Sequence, residues 1–239
     1  MIAYATGREL IDILDSQLIL EAEQLPQTAR GVTRLAQLNL SAGGEDAQRA
    51  LPNVATLIRT QTGISIQVPD ASVGFQEQEL SEVFLLWVHG RREFQLTTQQ
   101  RELLRRFIEN GGVILGTAIC GDDAFCESFR REFSGLAGAP GLRSLPADHP
   151  LLTTEFLGYD IRTVTIRRIS RGTAGQQVRK QKAPPVLEYA ESDGVVSIVF
   201  SPLDLSCALE SQNSVQCPGY GTEDAAKIVT NIVKMAINQ

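Results

Sequence analysis

Val83-Phe84-Leu85-Leu86-Trp87-Val88 is an unbroken apolar run, followed at once by His89-Gly90-Arg91-Arg92. A short run of this kind, with no polar alternation, suits a strand covered on both faces, as in a parallel sheet. Downstream, Thr97 and Gln100 have the spacing of a capping box, Leu103, Leu104, Phe107 and Ile108 form a helical stripe, and Gly111-Gly112 ends it. Residues 113–119 are then a second buried strand. Phe125, Phe129, Phe133 and Leu136 recur at helical spacing and mark one face of a helix beginning near Asp122.

Working outward, residues 31–40 read as a strand opening into Ser41-Ala42-Gly43-Gly44-Glu45-Asp46. A helix through Leu51, Val54, Ala55, Leu57 and Ile58 closes at Gly63, and residues 64–68 form a short strand. Strands alternating with helices predict a three-layer α/β domain whose sheet is largely parallel. The second half is less regular. Residues 164–169, 186–190 and 195–200 read as strands, the last two joined through Glu191-Ser192-Asp193-Gly194 as antiparallel additions to the sheet, and residues 171–183 read as a flexible loop. Thr222 is expected to cap a final helix buried through Ala225, Ile228, Val229, Ile232, Val233 and Ala236. An amphipathic pattern over residues 10–24 makes 1–30 an expected N-terminal helical extension and 31–239 the α/β domain.

Composition narrows the function classes. No run approaches the roughly 20 apolar residues that span a bilayer, so the chain is not expected to cross a membrane. The net charge of −6 is spread over interspersed acids and arginines, without the basic face of a nucleic-acid binder. Residues 1–30 carry no signal-peptide pattern. The cysteines at 120, 126, 207 and 217 include no C-x-x-C pair.

In open parallel sheets, ligands bind at the carboxyl ends of strands where the strand order reverses. Three loops qualify: Gly43-Gly44-Glu45-Asp46, His89-Gly90-Arg91-Arg92 and Ile119-Cys120-Gly121-Asp122-Asp123. They meet if the strand at 31–40 lies beside the one ending at His89 and the strand ending at Ile119 comes next. Gly43, Gly44, Gly90, Arg91, Gly121 and Asp122 are the ligand-binding candidates. Arg91, Arg92 and Arg162 would suit an anion, or are solvated surface charge. No complete P-loop or dinucleotide fingerprint is present.

Cys120 stands between a buried strand and a helix start, the place of a nucleophile elbow. Ala118 has the small size an elbow needs two residues earlier, but Asp122 does not have it two residues later, and the acids beside the thiol disfavour its thiolate. The plainer reading is a packed strand-end cysteine. Of two histidines, His89 ends a buried strand and is the better candidate base, while His149 sits in the turn Asp148-His149-Pro150. Asp204 is either the third catalytic member or a turn cap. Cys207 and Cys217 are a disulfide in an oxidising compartment and thiols otherwise. With His89 and Cys120 they form a scattered four-ligand set for zinc, and neither a metal nor a cofactor is expected.

Several stretches resemble one family. They are Ala50-Leu51-Pro52-Asn53, Trp87-Val88-His89-Gly90 with Phe94, Gly111-Gly112-Val113-Ile114-Leu115 leading to Cys120-Gly121, and Phe125 with Ser128-Phe129-Arg130-Arg131. To these add Leu145-Pro146-Ala147-Asp148-His149-Pro150-Leu151, the run Ser201-Pro202-Leu203-Asp204-Leu205-Ser206-Cys207-Ala208-Leu209-Glu210, and Gly219-Tyr220. Over about residues 32–238 the ordered set resembles the bacterial domain-of-unknown-function 4159 family. The resemblance implies a flavodoxin-like fold similar to class I glutamine amidotransferases, in domains often found within larger envelope-associated proteins, at the cytoplasmic or periplasmic face. It implies no established activity. Amidotransferases of that fold place a histidine and a glutamate far downstream of the elbow cysteine, whereas only His149 follows Cys120 here and there is no His-Pro-Glu.

Two functions follow as expectations. The first is a noncatalytic module binding a small ligand or a protein partner. The second is a cysteine-dependent hydrolase or amidotransferase-like enzyme with Cys120 as nucleophile, His89 as base and amides near Gly121 stabilising an oxyanion.

Overall fold

The computed structural model describes residues 33–136, 141–172, 175–210 and 217–239. The expected helix over residues 10–24, and with it the N-terminal extension, lies outside these residues. The first strand, β1 (Thr33–Gln37), leads through a 3-10 turn into helix α1 (Ala50–Thr62), β2 (Ile66–Gln67), a short helix α2 (Glu77–Leu80) and β3 (Leu85–Gly90). Helix α3 (Thr98–Glu109), β4 (Val113–Ala118) and α4 (Asp123–Phe133) follow. The local signals hold. Thr97 and Gln100 form both bonds of the capping box, Gly63 ends α1 with a positive φ of 73°, and the Asp122 side chain caps α4 by accepting from the Phe125 amide at 2.9 Å.

After β5 (Arg143–Ser144) come β6 (Val164–Gly172), β7 (Gly175–Ala183), β8 (Glu188–Ser192) and β9 (Val195–Ser201). A short helix α5 (Ser206–Leu209), β10 (Gly219–Tyr220) and helix α6 (Thr222–Asn238) complete the chain. One sheet has the order β2-β1-β3-β4-β9-β8-β5, and a second, antiparallel sheet has the order β10-β6-β7. Pairing is parallel from β2 through β9 and antiparallel for β8 and β5.

The register of β3 shows why its sequence has no polar alternation. Leu85 and Trp87 pack into one core with Leu51, Val54 and Ile58 of α1 and Ile228, Val229 and Ile232 of α6. Leu86 and Val88 point to the other side, among Leu104 and Phe107 of α3 and Phe125, Phe129 and Phe133 of α4. Two apolar cores on opposite faces of one sheet make the three layers. Phe129 is stacked between Phe133 and Phe200, with ring centroids at 4.1 and 4.4 Å.

Three expectations are corrected. Residues 171–183, expected as a flexible loop, hold the end of β6 and all of β7, paired in register from Val164↔Ala183 to Gly172↔Gly175. Arg179, Lys180, Gln181 and Lys182 are exposed, and a run of consecutive solvated polar residues carries no apolar periodicity to read. Strand β9, expected as an antiparallel addition, is parallel to β4 and belongs to the main sheet; β8 runs against it, and β5, antiparallel to β8, returns to the common direction. The hairpin between β8 and β9 forms as expected, with Asp193 and Gly194 both at positive φ, 51° and 81°, the geometry that matches the strand twist. Thr222 is the first residue of α6, and the N-cap is Gly221.

Candidate functional site

Strand β1 has β2 on one side and β3 on the other, so the connections leaving β1 and β3 diverge at the carboxyl edge of the sheet. The loops after β1, β3 and β4 meet there, as the expected contact order requires, and β9 adds a fourth. The first two are bonded directly: the Arg91 and Arg92 amides donate to the Ala42 carbonyl at 2.8 and 3.0 Å. Gly90 makes this approach possible, since a Cβ there would lie 2.5 Å from the Ala42 carbonyl oxygen and 2.8 Å from the Phe125 ring. A Cβ on Gly44 would press equally on the Gln37 side chain and the His89 carbonyl. At these two candidate glycines the space is taken by the protein itself. Gly43 and Gly121 have positive φ, 87° and 65°. Arg91 pairs with Asp46 at 3.2 Å, Arg92 with Glu45 at 3.5 Å and Arg162 with Asp160 at 2.6 Å, all partly exposed.

His89 closes β3 with 1% of its surface exposed. Its Nδ1 lies 2.9 Å from the Ser206 hydroxyl, while Nε2 has no hydrogen-bond partner among the described residues. Burial in apolar surroundings pushes its pKa down to about 4, offset only in part by the Gly44 backbone. The imidazole is therefore neutral at pH 7 and a poor proton acceptor. Taking a proton from a thiol of ordinary pKa would cost about 6 kcal/mol at about 1.4 kcal/mol per pKa unit.

Cys120 occupies the sharp turn between β4 and α4 with φ 55° and ψ 17°, a left-handed conformation that costs a non-glycine residue energy. The turn is held from across the edge, because the Cys120 amide donates to the Asp204 carboxylate. The sulfur of Cys120 is paired with Cys217 as a disulfide, with Cα atoms 4.8 Å apart. Cys207 sits alongside, its sulfur 3.8 Å from that of Cys120 and 2.8 Å from that of Cys217. The disulfide thus joins Cys217 to Cys120 and leaves Cys207 a thiol, in place of the expected Cys207–Cys217 pairing.

Asp204 is 1% exposed and caps the turn after β9, while its other oxygen accepts from the Cys120 amide. Its Oδ1 accepts from the Cys207 amide at 2.9 Å, in the first turn of α5. Burial raises its pKa and the amides that bond it pull the other way. Burial, then the neighbouring Asp204 charge, raises the Cys207 thiol far above its usual range. One ligand atom each from Cys120, Asp204, Cys207 and Cys217 lies within 4.8 Å of the others. This set differs from the zinc set weighed from sequence in one member, Asp204 standing where His89 was placed. Cys126, the remaining cysteine, is buried and outside the cluster, with its thiol pushed up to about 11 by burial.

Sequence reasoning did not single out Ser206, Thr117 or Glu210. The Thr117 hydroxyl accepts from the Leu205 amide at 3.2 Å and reaches the Leu203 carbonyl at 3.4 Å, so the segment after β9 is fastened to the end of β4. Glu210 accepts from the Arg49 amide at 2.7 Å and Asn53 donates to the Leu209 carbonyl at 2.8 Å, so the far end of the same segment supplies the cap that α1 lacks. For Ser206 and Glu210 the signal was the run Leu203-Asp204-Leu205-Ser206-Cys207-Ala208-Leu209-Glu210, polar residues set among apolar ones just after a buried strand; Thr117 had none.

The family model described as a domain of unknown function, DUF4159, matches residues 34–237. No curated protein matches the chain. Seven chains of solved structures match it. Among these is a ThuA-like protein from Bacteroides uniformis, 10% identical, aligned over 90% of this chain and 96% of that one with a TM-score of 0.42. That likeness carries no argument about fold or activity. The family match spans most of the chain, and the protein belongs to the domain-of-unknown-function 4159 family.

Proposed function

We propose that this domain is a noncatalytic binding module with an amidotransferase-like fold, whose strand-end edge is the place where a small ligand or a protein partner docks. One observation carries the reading: the groups that catalysis would use are already engaged by other parts of the protein. The His89 Nδ1 is bonded to Ser206, the Cys120 amide to Asp204, and the Cys120 sulfur to Cys217. The strand order β2-β1-β3-β4-β9 supports a flavodoxin-like, class I amidotransferase-like fold. The family match beginning at residue 34 supports a domain over residues 31–239 preceded by a separate extension over 1–30. Placement within a larger envelope-associated bacterial protein rests on the family resemblance alone.

A second reading keeps Cys120 as the nucleophile of a hydrolase or amidotransferase-like enzyme, with the Asp204 carboxylate nearby and His89 as base. The strained turn at Cys120 favours it, because unusual φ at a strand-to-helix turn is found at functional sites. Labelling of the reduced protein with iodoacetamide across pH, read by peptide mass spectrometry, separates the two. The module reading expects Cys120 to react no faster than an ordinary thiol at neutral pH, and expects no glutamine hydrolysis above that of Cys120→Ser. Rapid labelling of Cys120 at pH 7, with turnover lost in Cys120→Ser, would establish the enzyme instead.

A further inference from the structure

The cluster at the strand-end edge contains more than a disulfide uses. Two sulfurs make the bond, yet a third sulfur and a carboxylate converge on the same point, each delivered by a different part of the fold. Cys120 comes from the turn after β4, Asp204 and Cys207 from the segment after β9, and Cys217 from the residues before β10. Asp204 and Cys207 are three apart at a helix start, a spacing that lets two side chains grip one ion. The Asp204 carboxylate is buried, and among the described residues no lysine or arginine forms an ion pair with it. Its oxygens accept the backbone amides of Cys207 and Cys120, which fixes their orientation, and the Cys207 thiol also bonds to this carboxylate, through a proton that a metal ion would displace.

The approach of the third element is itself built in. Gly219 has φ 155° and its backbone pairs with Asp204, the Tyr220 amide donating to the Asp204 carbonyl at 3.2 Å. A Cβ at Gly219 would stand 2.5 Å from that carbonyl oxygen and 2.9 Å from the Asp204 Cβ. Only glycine lets the strand that follows Cys217 come this close.

We propose that Cys120, Asp204, Cys207 and Cys217, once reduced, bind one zinc ion in a closed, structural site. Three thiolates and a carboxylate suit a borderline-soft divalent cation and not magnesium or calcium. Zinc–sulfur bonds of about 2.3 Å in a tetrahedron set sulfurs about 3.8 Å apart, the separation found between Cys120 and Cys207. Four protein ligands leave no open position for water or substrate, so the ion clamps β4, β9 and β10 together and performs no chemistry. Loading has two balanced steps. A thiol reductant gives two electrons and two protons to the Cys120–Cys217 bond and is itself oxidised to a disulfide. The three thiols then release three protons to solvent as the zinc ion binds.

The test is an anaerobic titration of the reduced full chain with cobalt(II), whose tetrahedral thiolate complexes have intense visible and near-ultraviolet bands. The site predicts bands that saturate at one equivalent and are displaced by zinc. Cys207→Ser and Cys217→Ser should each weaken binding by at least ~10-fold, and Cys126→Ser should leave it unchanged. Should a serine variant fail to fold, alkylation of the wild type decides: zinc must protect Cys120, Cys207 and Cys217 against iodoacetamide. No cobalt bands at stoichiometric metal, bands that survive both cluster variants, or three thiols labelled equally fast with and without zinc would overturn the site.

Discussion

At the strand-end edge His89, Thr117, Asp204 and Ser206 are buried, and each bonds a group from a distant segment. On β7, Arg179, Lys180, Gln181 and Lys182 stand in solvent, and what holds that strand is its backbone pairing with β6. Both regions are rich in polar residues. The difference is where those residues lie. A polar group that loses water must find a partner or cost about 1–3 kcal/mol, so the buried edge is over-determined by its bonds. The hairpin tolerates change because water is always the alternative partner.

The contrast can be broken by substitution. The largest effect is expected for Gly90→Val, which drives a side chain into the Ala42 carbonyl and the Phe125 ring; urea denaturation should show a loss of about 3 kcal/mol or more.

Next comes acid. His89 has a folded pKa near 4 against 6.5 unfolded, so the unfolded chain binds more protons between those values. Its stabilisation is complete above about pH 6.5 and is lost as pH falls toward about 4, amounting to about 3 kcal/mol. His149 is also lowered by burial and acts in the same direction. His89→Asn, which keeps a partner for Ser206, should flatten the acid limb relative to wild type, and an unchanged slope would refute the assignment.

Glu210→Ala should cost about 1 kcal/mol in the same denaturation assay, because it strips α1 of the cap it receives from across the edge. Smallest is Gln181→Ala on β7, expected within about 0.5 kcal/mol of wild type. A loss as large as that of Glu210→Ala would mean that this side chain is packed and not solvated.

Legibility divided along the same line. Phe125, Phe129 and Phe133 announced their helix because one face had to be buried, and Val83 to Val88 announced a central strand because both faces were. The capping box at Thr97 and the Asp193-Gly194 turn were readable because their bonds are local. Strand β7 was not readable, since Arg179-Lys180-Gln181-Lys182 is a run of solvated polar residues with no apolar alternation. The direction of β9 was not readable either: a fully buried strand looks the same whether its neighbour runs with it or against it.

The edge itself followed from sequence, because glycine loops and chemistry-bearing residues at the ends of buried parallel strands must gather where the strand order reverses. Local periodicity and turn chemistry were enough for that, since they act over a few residues. Partners were decided only in three dimensions. That His89 meets Ser206, that Asp204 holds the Cys120 turn, and that Cys217 joins Cys120 are contacts over separations of 117, 84 and 97 residues. No local propensity encodes such distances. They exist because β4 and β9 lie side by side and Gly219 lets the last strand close over them.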